Sequence, residues 1–126
     1  MEKDLALIVE DNSLLSKMFS RALSDVGYQT LVIQDGEHAM SWLEQDEPRL
    51  LLLDLHLPTV SGKEIFNHIV EDVRFENTYI VLCTADARMG SMLAERADFL
   101  LNKPVDISQL QRMADRLKSN NGYRAR

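Results

Sequence analysis

Five short apolar runs punctuate the chain: Leu5–Val9, Leu31–Ile33, Leu50–Leu53, Tyr79–Cys83 and Phe99–Leu101. Most are continuously apolar rather than alternating, as strands read when helices cover both faces of a parallel sheet. Between the runs, apolar residues recur at helical spacing. Leu14, Leu15, Met18, Phe19, Ala22, Leu23 and Val26 make one stripe, and Gly27 stands where a glycine ends a helix. Ala39, Met40, Trp42 and Leu43 predict a second helix that stops before Pro48. Ser61 with Glu64 three residues on is a capping-box pattern, opening a third helix with a stripe of Ile65, Phe66, Ile69, Val70 and Val73. A short fourth helix holds Met89, Met92 and Leu93. The fifth begins near Asp106, with Ile107, Leu110, Met113, Ala114 and Leu117 inward. Strand and helix alternate five times. This order predicts an α/β domain: a five-stranded parallel sheet with helices on both faces and right-handed crossovers.

Composition narrows the possibilities without naming a function. A length of 126 residues allows one domain, and 45% hydrophobic residues can build its core. Twenty acidic residues against fourteen basic ones give a net charge of −6. That sign speaks against direct nucleic-acid binding or attachment to an anionic membrane. The single cysteine, Cys83, allows neither an internal disulfide nor a cysteine-cluster metal site, so a reducing, cytoplasmic setting is expected. Its place at the end of the fourth run predicts a small buried hydrophobe. No apolar run approaches the roughly 20 residues needed to span a bilayer. Glu2, Lys3 and Asp4 argue against a signal peptide. Residues 119–126, polar and basic, read as a flexible tail behind a domain over 4–118.

In an open parallel sheet, ligands bind beyond the carboxyl ends of the strands. There the chain places Glu10 and Asp11 after the first run, Asp54 after the third, Thr84 after the fourth, and Lys103 with Pro104 after the fifth. Three carboxylates at one edge repel each other, and a hard divalent cation such as Mg2+ relieves that conflict. A carboxylate can serve as a nucleophile toward phosphorus, with a metal and an ammonium stabilising the transferring charge. Asp11 also suits the N-cap of the first helix, and Asp86 that of the fourth. His38, His56 and His68 lack ligand spacing and are expected to face solvent.

Ile8-Val9-Glu10-Asp11-Asn12, Leu53-Asp54-Leu55-His56-Leu57-Pro58 with Gly62, Thr84-Ala85 and Lys103-Pro104, in that order, resemble the receiver domain of two-component response regulators. The resemblance implies the flavodoxin-like (βα)5 fold and a phosphorylation-dependent signalling switch rather than a turnover enzyme. It implies that Asp54 is the phosphoacceptor. Glu10, Asp11, Asp54 and the backbone carbonyl of His56 would hold Mg2+, Thr84 would hydrogen-bond the phosphoryl group, and Lys103 would pair with it. It also implies a cis peptide before Pro104. The phosphoryl group would come from a sensor histidine kinase or a histidine phosphotransfer protein. A downstream effector or fused output domain would read the altered surface.

Two features depart from the family pattern. Leu100 stands three residues before the lysine, where the family usually carries Tyr or Phe. Nineteen positions separate Thr84 from Lys103, about three fewer than usual and close to one helical turn. A short fourth helix and a specialised partner surface are therefore expected. A constitutive interaction module on the same fold is the main competing reading. An aspartyl-nucleophile phosphatase is weaker, because it would want a second Asp where His56 stands.

Overall fold

Each apolar run becomes a strand of one sheet. The strands are β1 (Leu5–Val9), β2 (Gln29–Ile33), β3 (Leu50–Asp54), β4 (Tyr79–Thr84) and β5 (Phe99–Asn102). The helices between and after them are α1 (Ser13–Asp25), α2 (Gly36–Gln45), α3 (Gly62–Ile69), α4 (Ala87–Leu93) and α5 (Ile107–Arg116). The computed structural model describes residues 3–118. The tail expected over 119–126 lies outside the described residues.

Every strand pairing is parallel, in the order β2-β1-β3-β4-β5. Side-chain parity explains the uninterrupted apolar runs, since successive strand residues face opposite sides of the sheet. Ala6, Ile8, Leu50, Leu52, Val81 and Cys83 pack beneath α1 and α5, against Phe19, Leu23, Leu110 and Met113. Leu7, Val9, Leu51, Leu53, Ile80 and Leu82 face the other way, against Ala39, Leu43, Ile65, Phe66 and Ile69 of α2 and α3. Two polar side chains in this interior are tied to backbone carbonyls. Tyr28 donates its hydroxyl to the Ala114 carbonyl at 2.6 Å, and Thr78 donates to the Pro48 carbonyl at 2.6 Å.

Several helix details differ from expectation. The stripe of α1 is narrower than its apolar content: Phe19, Ala22 and Leu23 are buried, but Leu14 is 70% exposed and Met18 is exposed as well. Asn12, not Asp11, caps α1, its side chain accepting from the Leu15 amide at 2.9 Å. The capping box at Ser61 forms, but α3 ends at Ile69. Val73 therefore falls in a separate 3-10 turn, Val73–Phe75, which exposes it and buries Phe75. The fourth helix is short as expected, with seven residues capped by Asp86, and a 3-10 turn over Ala94–Arg96 follows it.

The strand order reverses direction at β1. From there β2 lies on one side and β3 on the other, so the chain leaves the ends of β1 and β3 toward opposite faces. The crevice between those two strand ends is where an open α/β sheet takes a ligand.

Candidate functional site

Glu10 follows the last residue of β1, and its amide still reaches across to the Ile33 carbonyl at 3.1 Å. That bond fixes the backbone where the side chain turns into the crevice. Glu10 is buried, with Oε2 accepting from the Asn12 amide at 3.1 Å. Asp54 closes β3, paired with Cys83 of β4, and its side chain is only 5% exposed. Its Oδ1 accepts from the His56 amide at 3.1 Å. Gly62 makes room for this turn. A Cβ there would stand 1.9 Å from the Asp54 carbonyl oxygen, an overlap no side chain could relieve.

Lys103 joins the two acids. Its Nζ lies 2.8 Å from Glu10 Oε1 and 3.3 Å from Asp54 Oδ2. The Lys103 amide donates to the Thr84 carbonyl at 2.9 Å, which aligns the end of β5 with the end of β4. The Lys103–Pro104 peptide is cis, as the family resemblance implies. Thr84 is fully buried, and its Oγ1 accepts from the Asp86 amide at 2.9 Å.

Asp11 is exposed and forms the open side of the crevice. Carboxylate oxygens of Glu10, Asp11 and Asp54 lie within 4.8 Å of one another. Asp54 is thus deep but bordered by an acid that solvent reaches. Ionised, three carboxylates and one ammonium leave two negative charges, which one divalent cation would cancel. This all-oxygen donor set suits a hard cation.

Electrostatics reflect the crowding. Burial raises the Glu10 carboxyl above its ordinary range, against the lowering effects of Lys103 and the Asn12 amide. Burial acts against the Lys103 ammonium, but the Glu10 hydrogen bond and the charges of Asp54 and Glu10 outweigh it and hold that group above its usual value. Burial pushes the Cys83 thiol up to about 12, which removes it as a nucleophile.

Four of the side chains singled out from the sequence therefore converge, Glu10, Asp11, Asp54 and Lys103, while Thr84 closes the neighbouring strand β4 with its hydroxyl on the Asp86 amide. The His56 side chain is 58% exposed and turns away from Asp54, its Nε2 lying 3.6 Å from Asp86 Oδ2. His38 is exposed and pairs with Asp35, while His68 is also exposed.

Sequence reasoning missed the fastening of the loop after β3. The Gly36 amide donates to the Pro58 carbonyl at 3.1 Å, and a Cβ on Gly36 would stand 1.6 Å from the Val60 carbonyl oxygen. Thr59 adopts a positive φ of 68°, unusual for a β-branched residue. Its hydroxyl accepts from the Glu37 amide at 3.0 Å and donates to Asp35 at 3.3 Å. The loop behind Asp54 is thereby tied to the start of α2. Gly36 after Asp35 was the available signal, though a glycine alone does not say which backbone approaches it.

The family model described as "Response regulator receiver domain" matches residues 6–115. The polar-differentiation response regulator DivK of Brucella ovis is 30% identical over 104 residues, covering 80% of this chain and 85% of that protein. A CheY-like response regulator receiver domain from Methylobacillus flagellatus superposes with a TM-score of 0.80 at 25% identity, over 92% of this chain and 99% of that one. The receiver domain of a signal transduction histidine kinase from Syntrophus aciditrophicus gives 0.80 at 26% identity, over 90% and 89%.

Proposed function

This chain belongs to the response regulator receiver family, and we propose that its switch is set by phosphoryl transfer to Asp54. Receivers are signalling domains rather than enzymes acting on external metabolites. The observation that carries the specific reading is the Asp54 carboxylate 3.3 Å from Lys103, with Glu10 and Asp11 completing the acidic crevice.

The donor on this reading is a phosphohistidine of a sensor kinase or phosphotransfer protein. An Asp54 oxygen bonds to phosphorus as the donor N–P bond breaks, and the imidazole leaves with the bonding pair and takes up a proton. Lys103 balances charge on the transferred group. Thr84 donates its hydroxyl to it, releasing the Asp86 amide. Glu10, Asp11, Asp54 and the His56 carbonyl are the groups that would hold Mg2+, which when bound supplies positive charge beside the phosphoryl oxygens. Hydrolysis of the acyl phosphate resets the switch. The partners are the donor and a protein effector, and the cytoplasm is the compartment such a donor requires. Among the described residues no helix is long and apolar enough to cross a membrane.

The test is incubation with acetyl phosphate and Mg2+, followed by intact-mass measurement. Wild type is expected to gain one base-labile phosphoryl group, and Asp54→Asn none. Equal labelling of both proteins, or labelling of neither, would contradict the assignment.

A further inference from the structure

The first turn of α2 is capped by a loop from elsewhere in the chain. The amides of Gly36, Glu37 and His38 open the helix and find no acceptor inside it. The His38 amide turns to Asp35 Oδ1 at 3.0 Å. The other two turn to the loop after β3: Gly36 donates to the Pro58 carbonyl at 3.1 Å, and Glu37 to the Thr59 hydroxyl oxygen at 3.0 Å. That loop starts at Asp54. The His56 amide holds Asp54 Oδ1 at 3.1 Å, while Lys103 Nζ stands 3.3 Å from Oδ2. One partner on each oxygen fixes the rotation of the carboxylate, and the His56 partner is only as firm as the loop that carries it.

Thr59 keeps its place against its own conformational preference. At a φ of 68° a β-branched side chain crowds the backbone, and such residues rarely adopt this region. Strain of this kind persists where surrounding contacts over-determine it, and it gathers at sites that need fixed geometry. Glycine or asparagine would bend the same way with less strain, but glycine offers the Glu37 amide no acceptor. The loop is also packed closely on α2, since the Val60 carbonyl oxygen would stand 1.6 Å from a Cβ on Gly36.

We propose that Thr59 is a positioning residue for Asp54. Its clasp on α2 holds the loop so that the His56 amide orients the carboxylate. The same clasp keeps the His56 carbonyl, one of the groups that would hold Mg2+, in a fixed place. The orienting contact stands on the geometry alone, while its use in phosphoryl transfer rests on the phosphoacceptor reading above.

Three variants of the full chain separate the hydroxyl from the bend. Thr59→Val keeps the branched shape and loses the acceptor. Thr59→Gly loses the acceptor and the strain together, and so tests the same point if Thr59→Val fails to fold. Thr59→Asn suits the bend and returns an oxygen to the Glu37 amide. The first measurement is amide hydrogen exchange by NMR, without metal or phosphodonor, with the β1 amides as the reference for global unfolding. The His56 amide is expected to exchange several-fold faster in Thr59→Val and Thr59→Gly, relative to β1, and to regain its protection in Thr59→Asn. His56 exchange equal to wild type, or faster only in proportion to β1, would overturn the proposal and leave Thr59 a support of α2 alone. So would a Thr59→Asn that exchanges like Thr59→Gly. The second measurement is calorimetric titration with Mg2+, beside the rate of labelling by acetyl phosphate. Mg2+ affinity should fall about tenfold in Thr59→Gly and recover in Thr59→Asn, and labelling should slow in the same order. If wild type neither binds Mg2+ nor is labelled, the phosphoacceptor reading fails, and the exchange result still decides whether Thr59 orients Asp54. If wild type does both and Thr59→Gly matches it, the positioning role fails and the phosphoacceptor reading stands.

Discussion

Glu10 is one methylene longer than the aspartate that commonly fills its place, and that length lets Oε1 reach Lys103 at 2.8 Å. Its burial has a consequence for stability. A carboxyl whose pKa is raised by folding holds its proton more tightly in the native state, so its ionisation weakens the fold. The penalty is absent below the unfolded value of 4.5 and grows as pH rises through the raised native value. Glu10→Gln cannot ionise. The stability of wild type minus that of Glu10→Gln, from urea unfolding, should therefore fall between pH 4.5 and neutrality. A flat or rising difference would contradict it. Lys103 has the opposite sense. Its raised pKa contributes stability that is complete below 10.5 and lost as pH rises through the native value. The advantage of wild type over Lys103→Met should shrink above pH 10.5 and hold steady just below it, again by urea unfolding. The residues of this cluster were legible because each closes or follows an apolar run. The Glu10–Lys103 contact was not. It joins positions 93 apart, and only the side-by-side placement of β1, β3, β4 and β5 creates it.

At the scale of elements, hydrophobic period located every strand and helix, while partners set their limits. β2 was expected to begin at Leu31, but it starts at Gln29 because the Gln29 amide donates to the Asp4 carbonyl and the ladder pairs Gln29 with Leu5. Backbone pairing, not side-chain character, draws that boundary. The α1 stripe overstated burial because a helix lying on a sheet covers only the arc in contact, which leaves Leu14 and Met18 outside. The start of α1 shows the same limit from another side. Asp11 and Asn12 both suit a cap, and the backbone selects Asn12 while Asp11 remains at the crevice. The short α4 depends more on its ends than the longer helices do, since seven residues supply few internal bonds. Asp86→Ala should cost about 1 kcal/mol by loss of the bond to the Met89 amide. Asp86→Asn should keep most of that stability, because the amide oxygen still accepts. The exposed approach to His56 adds little to either figure. Chemical denaturation of the two variants checks this, and equal losses would shift the role of Asp86 from the cap to its charge.

For the whole molecule, net charge and site charge share a sign. The chain carries −6, and its most crowded acids gather at one end of the sheet, where among the described residues Lys103 opposes them. An ion that binds this crevice in the folded state and has no site in the unfolded chain stabilises the fold by mass action. At a hundred times its dissociation constant the gain is about 2.7 kcal/mol. For a domain of this length that corresponds to roughly ten degrees in Tm. Thermal melts with Mg2+ should show such a rise, and chelation should reverse it. Ordinary screening by salt also lessens self-repulsion in an acidic protein, so sodium chloride at matched ionic strength sets the baseline. The exposed acid separates the two effects. Asp11→Asn removes one charge from a surface position and leaves the buried Glu10 and Asp54 in place, so its melt without metal should change little. Its response to Mg2+ should fall to the sodium chloride baseline, because the crevice loses the one ligand open to solvent. An equal Mg2+ response in wild type and Asp11→Asn would mean that the ion stabilises the protein from elsewhere, and the crevice would no longer be its metal site.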